Sequence, residues 1–193
     1  MQRRAVFGLF LLPLARGQGT CAPTPALTQG PYSLRDVPQR EDLREGLPGV
    51  PLRLLLRVRD RACRPLQGAR VDLWHTDALG RYSGVNAPGT FCRGWQATDE
   101  RGEVAFLTLF PGWYPSRTPH LHLRVEAGGR VFATQLFFPE EVQRQVYALP
   151  PYRERGMPRV NNRQDGLFRA DLLLRLEREG EAYRGAFVLT LPG

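Results

Sequence analysis

The chain of 193 residues contains no lysine; its 27 basic side chains of that kind are all arginine, against 19 acidic ones, for a net charge of +8. Such a charge suits nucleic acid, an anionic surface or a small anionic substrate. The arginines are scattered singly through the candidate strands, and Asp60 interrupts the densest stretch, Arg53 to Arg64. A nucleic-acid partner is therefore not expected. No apolar run reaches the roughly 18–20 residues that span a bilayer, which excludes a polytopic membrane protein. A Gly-rich phosphate loop and a strand–helix–strand alternation are missing too, and nucleotide chemistry goes with them. Cysteine is scarce. Cys21, Cys63 and Cys92 have no C-x-x-C spacing, so neither a zinc knuckle nor a thioredoxin-like motif is supported. What is there, 42% hydrophobic and 10% aromatic residues, suits one globular domain.

Residues 1–19 read as a leader to be removed, leaving 20–193 as the mature domain. Met1-Gln2-Arg3-Arg4 is a short basic start, Ala5 to Ala15 an apolar run broken by Pro13, and Arg16 to Thr20 small and polar. That is the three-part layout of a secretory signal, with cleavage expected between Ala15 and Gly19. Arg3-Arg4 also permits the twin-arginine route. An exported chain would be periplasmic or extracellular, with no membrane contact once the leader is gone; without a leader it would be cytoplasmic. Export allows one disulfide and one remaining thiol, and the sequence leaves all three pairings open.

After the leader the pattern is all-β. Leu52, Leu54, Leu56 and Val58 alternate with polar or outward residues, as on a strand with one buried face. Further strands are expected at 71–74, 104–109, 121–125, 131–138, 172–176 and 186–191, separated by Gly- and Pro-rich turns. Short strands so spaced predict an antiparallel β-sandwich with long loops. One short helix of about two turns is expected at Glu140 to Tyr147, and Pro150 to Asn162 reads as a long loop.

Two of the three histidines form His120-Leu121-His122. On a strand, i and i+2 side chains share a face, so both imidazoles leave one side while Leu121, Leu123 and Val125 enter the core. Two imidazoles a few ångströms apart make half of a metal site. No carboxylate lies near them in sequence to complete a two-histidine, one-carboxylate or a zinc set. Two tyrosines on turn-rich loops are available instead: Tyr82 in Gly80-Arg81-Tyr82-Ser83-Gly84 and Tyr114 in Pro111-Gly112-Trp113-Tyr114-Pro115. Phenolate is a hard anionic ligand that suits ferric iron.

At this point the sequence resembles a known family. Ala69-Arg70-Val71-Asp72-Leu73-Trp74-His75, Gly80-Arg81-Tyr82-Ser83, Arg93-Gly94-Trp95-Gln96, Pro111-Gly112-Trp113-Tyr114 and Arg117-Thr118-Pro119-His120-Leu121-His122 occur in order. Together they resemble the signature of intradiol ring-cleavage dioxygenases, the protocatechuate and catechol family. Thr28-Gln29-Gly30-Pro31-Tyr32 and Thr134-Gln135 are similar to segments lining that family's substrate pocket. The likeness runs from about Pro25 to Phe138, with weaker echoes at Tyr152, Arg155, Gly156 and Asn161.

The resemblance implies one Fe(III) per active site, bound by Tyr82, Tyr114, His120 and His122, with Tyr82 and His122 equatorial and Tyr114 and His120 axial. It implies a small aromatic diol and O2 as substrates, cleavage between the two hydroxyl-bearing carbons, and a cis,cis-muconate-type diacid as product. Tyr114 would take a second role as acceptor of a catechol proton. Arg117 would stabilise charge on the activated ring and contact substrate, with Pro31, Tyr32, Arg93 and Gln135 as further pocket residues. His75, outside the H-x-H pair, reads as structural. The long N-terminal helical segment of catechol dioxygenases is not found here, and the early Cys21 is similar to an exported, single-chain branch. That branch carries a cysteine where Thr76 stands; Cys92 would have to substitute for it. A homo-oligomer is compatible with the family, whose protocatechuate members build pockets from two subunits. The competing expectation is a non-catalytic prealbumin-like sandwich module, suggested by Pro65-Leu66-Gln67-Gly68-Ala69 followed by Thr98-Asp99 and Gly102; that architecture is shared, so only the metal set separates the two.

Overall fold

The computed structural model describes residues 20–193; the expected leader, 1–19, lies outside the described residues. Among the described residues eight strands are present: β1 (Pro51–Arg59), β2 (Arg70–Trp74), β3 (Arg93–Ala97), β4 (Glu103–Leu109), β5 (His120–Ala127), β6 (Arg130–Phe137), β7 (Arg175–Glu179) and β8 (Ala182–Thr190). One helix, α1 (Glu140–Tyr147), has the bounds the sequence suggested. It opens on Glu140 and Glu141, whose charge suits the positive end of the helix dipole. Its Val142, Val146 and Tyr147 turn inward.

Two four-stranded sheets face each other, in the orders β4-β1-β8-β7 and β3-β2-β5-β6. The layer between them is filled by the alternate residues of each strand, as a period of two requires. Leu52, Leu54, Leu56 and Val58 come from β1, Val71 and Leu73 from β2, and Leu121, Leu123 and Val125 from β5; all are essentially inaccessible. Full burial of a side chain of this kind stabilises by roughly 1.5–3 kcal/mol.

Three details differ from the sequence expectation. Among the pairings between these eight strands all are antiparallel except one, since β1 and β8 run parallel. Strand β3 was not expected, because Arg93-Gly94-Trp95-Gln96 shows no alternation. The Leu172–Leu174 run is not strand: Ala170–Leu172 is a 3-10 turn that plugs Leu172 and Leu174 into the core, and the strand begins at the charged Arg175.

A disulfide joins Cys21 to Cys63, and Cys92 is a buried free thiol. The bridge therefore needs no cysteine at Thr76, nor Cys92. It pins the start of a strap that crosses one end of the sandwich. Thr24 exchanges hydrogen bonds with Thr190, Leu27 N–H donates to the Ala133 carbonyl, and Thr134 Oγ1 donates to the Pro25 carbonyl. The strap then passes over the outer face of the second sheet.

Candidate active site

Register decides which side chains share that outer face. Arg93 pairs with Trp74, Trp74 with His122, and His122 with Gln135. This row crosses all four strands, and each member is at most 3% exposed. His120 stands one step further along β5, also buried. The Trp74 ring stacks on His122 with centroids 5.1 Å apart and planes 4° from parallel. Its Nε1 is buried without a partner.

Both tyrosines arrive on loops from above. The loop after β2 is tied down by Asp77, whose carboxylate accepts from the backbone N–H groups of Leu79 and Arg81, and by Asn86, which accepts from Tyr82 N–H at 2.7 Å. The loop carrying Tyr114 is fused to it through two glycines. A Cβ on Gly80 would lie 2.1 Å from the Trp113 carbonyl oxygen, and one on Gly112 would lie 2.5 Å from that of Ala78. Only glycine allows two backbones so close, and Gly80 also has φ +78°. Gly112 N–H donates to the Asp77 carbonyl at 2.8 Å, and Thr76 Oγ1 donates to the Gly112 carbonyl at 2.7 Å.

The four expected donors come together. Tyr114 Oη lies 3.2 Å from His120 Nε2, and His120 Nε2 lies 3.0 Å from His122 Nε2. The Tyr82 ring stands 5.8 Å from that of Tyr114 and 6.3 Å from that of His122. His120 Nδ1 meets the Thr118 carbonyl at 2.7 Å. A carbonyl only accepts, so Nδ1 carries the proton and Nε2 presents its lone pair to the cluster. Burial holds the His120 imidazole down at about 3, with Arg117 adding repulsion. Burial and then His120 push His122 well below its usual value. Both rings are thus neutral at ordinary pH, as ligands must be. Burial, then the neighbouring Tyr114, drives the Tyr82 phenol up, and burial also raises Tyr114. Without a cation neither phenolate would form here.

This donor set fits a single metal ion. Bonds of about 2.0–2.1 Å meeting near right angles set adjacent donor atoms about 3 Å apart, the spacing seen among Tyr114, His120 and His122. Among the described residues no three His, Cys, Asp or Glu side chains gather as a metal cluster. The two phenols are the further donors beside the imidazole pair, and their hardness would favour a trivalent ion.

The remaining expected residues surround the cluster. Gly30 crosses directly over His122, where an added Cβ would be 3.1 Å from Cε1. This brings Pro31, exposed at the turn, and Tyr32 to the site; the Tyr32 and Tyr82 rings are 4.8 Å apart. Each guanidinium nitrogen of Arg93 makes one hydrogen bond. Nε donates to Ser83 Oγ, Nη2 to the Ser83 carbonyl and Nη1 to the Tyr32 carbonyl, so it clamps the Tyr82 loop to the strap. Gln135 Nε2 donates to the Thr28 carbonyl, and its Oε1 accepts from Arg117 Nη2 at 2.6 Å. Arg117 Nε donates to Asp165 at 2.8 Å. Asp165 was missed by sequence reasoning, since it lies in a turn far downstream of the motifs. His75 is structural: Nδ1 donates to the Thr76 carbonyl and Nε2 accepts from Thr108 Oγ1, both at 2.7 Å. A cavity of about 500 Å3 opens beside the cluster, lined by Ser33, Trp74, Arg93 and Arg124 among others but by none of the four donors.

A family model described as Dioxygenase matches residues 25–146, more than half of the chain. An intradiol ring-cleavage dioxygenase from Tetranychus urticae superposes with a TM-score of 0.81 at 32% identity, covering 89% of this chain and 94% of that one. The chain belongs to the intradiol ring-cleavage dioxygenase family. A second solved relative within the family's fold is the dioxygenase domain of a dioxygenase–carbohydrate-binding fusion from Streptomyces sp. SirexAA-E, at 37% identity and TM-score 0.73, covering 89% of this chain and 99% of that domain. Chlorocatechol 1,2-dioxygenase from Rhodococcus opacus is 28% identical over 137 residues, 59% of this chain and 53% of that protein. This intradiol family member thus spans about half the length of the chlorocatechol enzyme it matches.

Proposed function

We propose that this chain is a non-haem Fe(III) dioxygenase that opens the ring of a simple catechol between its two hydroxyl-bearing carbons with O2, releasing a cis,cis-muconate-type diacid. The observation that carries this reading is the convergence of Tyr82, Tyr114, His120 and His122, with Arg93, Arg117 and Gln135 hydrogen-bonded around them. A passive sandwich module has no use for one buried and one half-buried phenol against a histidine pair.

Tyr82, Tyr114, His120 and His122 would hold the iron. Bound Fe(III) would chelate the diol and draw electron density from its ring, opening a ring carbon to O2. The chain's own groups do the rest. Tyr114 sits on the more exposed side of the pair, and its Oη is the base placed to accept one catechol proton. Arg117 supplies positive charge within reach of both phenols, where burial strengthens it. The strap at Gly30–Tyr32 roofs His122 and keeps water from the cluster. Two phenolates beside two neutral imidazoles would offset most of the charge of a bound Fe(III), which limits the charge stranded in a site of low polarity.

We further propose that the protein works in an oxidising compartment after export. The Cys21–Cys63 bridge supports this, since structural disulfides persist there.

Purified chain reconstituted with iron is expected to be red-brown, to shift in colour on adding catechol, and to consume one O2 per ring opened. Protein that stays colourless and retains no iron would overturn the assignment. Oxygen uptake across a panel of catechols identifies the substrate.

A further inference from the structure

Arg117 lies on a loop between Tyr114 and His120, where a long, flexible side chain loses rotamer freedom on being ordered. Two groups do the ordering. Asp165 Oδ2 accepts from Nε at 2.8 Å, and Gln135 Oε1 accepts from Nη2 at 2.6 Å. The described residues give Nη1 no hydrogen-bond partner, so one edge of the guanidinium is left over.

Asp165 is itself held fast. Its side chain is 1% exposed. Oδ2 also accepts from Thr118 N–H at 3.0 Å, and Oδ1 accepts from Leu167 N–H at 2.9 Å. The turn that presents it begins at Asn161, where Asn161 and Gln164 cap each other's backbone. Asn162 fastens that turn to the arginine loop, accepting from Thr118 Oγ1 at 2.8 Å. A bracket spanning 161–167 is thus built against the loop 115–119. Both carboxylate oxygens are thus engaged by N–H donors.

The geometry points to Asp165 as a positioning residue that, together with Gln135, fixes Arg117 so that its uncommitted Nη1 edge meets the charge developing on the substrate ring. This rests on the dioxygenase reading above. Asp165 touches neither substrate nor metal; it acts through Arg117.

The experiment compares Asp165→Asn, Arg117→Gln and the double variant in iron-loaded protein with catechol as substrate. Asp165→Asn should lower kcat by ~10–100-fold, as loss of aim does, with KM changed less than about threefold. The visible band should stay put, because the four donors are untouched. In the Arg117→Gln background the same change should cost less than about threefold more, since coupled residues are not additive. Equal losses in both backgrounds would mean a purely structural carboxylate and overturn the proposal, as would an unaltered kcat. A readout independent of turnover is the 15N–1H signal of Arg117 Nε, assigned by its disappearance in Arg117→Gln. It should exchange slowly in the wild type and lose that protection in Asp165→Asn. Fast exchange in the wild type overturns the proposal even if the variants do not fold. A wild type that takes up no oxygen with any catechol removes the dioxygenase reading and this one with it; an active wild type with additive losses sinks this one alone.

Discussion

The outer faces of the two sheets start from the same rule and end differently. On β1 the alternation is one-sided: Arg53, Leu55 and Arg57 are exposed while their neighbours are buried. Beside it on β8, Arg184, Ala186 and Val188 are exposed as well. Charges there pair in the open, as between Arg184 and Glu177, where an ion pair contributes little. The second sheet begins likewise at its far end, where Val131 is 56% exposed. Towards β5's first residues both faces become buried, and the row Arg93–Trp74–His122–Gln135 is sealed under loops. Sealing polar groups is costly unless they are bonded. Arg93 and Gln135 are bonded at each end, while Trp74 Nε1 and His122 Nδ1 are not. A sheet face that buries polar residues has acquired a cover for a reason, and here the cover carries the tyrosines.

If covering makes the second face functional, substitutions on the two faces should differ most at the donors. Tyr82→Phe is expected to bleach the iron band and cut turnover by ~100-fold or more, beyond the usual effect of a supporting residue. Leu55→Thr on the other face should leave both unchanged and shift stability by only about 0.5 kcal/mol. Visible spectra and oxygen uptake on the two variants check this; similar losses in both would contradict it.

A smaller effect is expected where the cover is joined. Gly112→Ala places a Cβ against three backbone atoms, at 2.5 Å from Ala78 O, 2.5 Å from Gly80 N and 2.6 Å from Asp77 O. Backbone does not yield like a side chain, so a loss of about 1–3 kcal/mol is expected, together with weakened iron retention. Urea midpoints and iron content measure the two consequences, and a variant matching the wild type in both would refute the fused-loop account.

The effect that is smallest at neutral pH, and grows only in acid, lies behind the site. Burial depresses His75 from 6.5 to about 4. Above pH 6.5 both folded and unfolded chains hold it neutral. Below that the unfolded chain takes up a proton that the folded one refuses until about pH 4, so stability falls with acid through this window. The contribution is on the order of 3 kcal/mol at its fullest. Denaturant midpoints at pH 7 and pH 4.5 should converge less in the wild type than in His75→Gln, which cannot titrate; equal slopes would dismiss the role.

Much of this was legible beforehand, and for a physical reason. A period of two in Leu52–Val58 and in His120–Val125 reports directly which way side chains point, and the helix at 140–147 follows from its own apolar spacing. Long-range facts leave no such trace. The parallel partnership of β1 and β8, the choice of Cys63 for Cys21, and the reach of Asp165 back to Arg117 each join segments whose local sequence is indifferent to the other. Arg93 illustrates a subtler gap: its place in a pattern suggested contact with substrate, and the structure adds a task the pattern did not show, since all three guanidinium nitrogens bond to loop carbonyls and a hydroxyl. Residue type marked the neighbourhood, and only packing assigned the task.

The position of β8 has a consequence for how the molecule is made. Because residues 182–190 slot between β1 and β7, one long flank of β1 stays without its mate until residue 190 has left the ribosome. Pairings of such wide sequence separation form slowly, and an unmated apolar strand invites association with neighbours in the meantime. The arginines that punctuate β1 at positions 53, 57 and 59 fall where charge would keep that waiting flank apart from others of its kind.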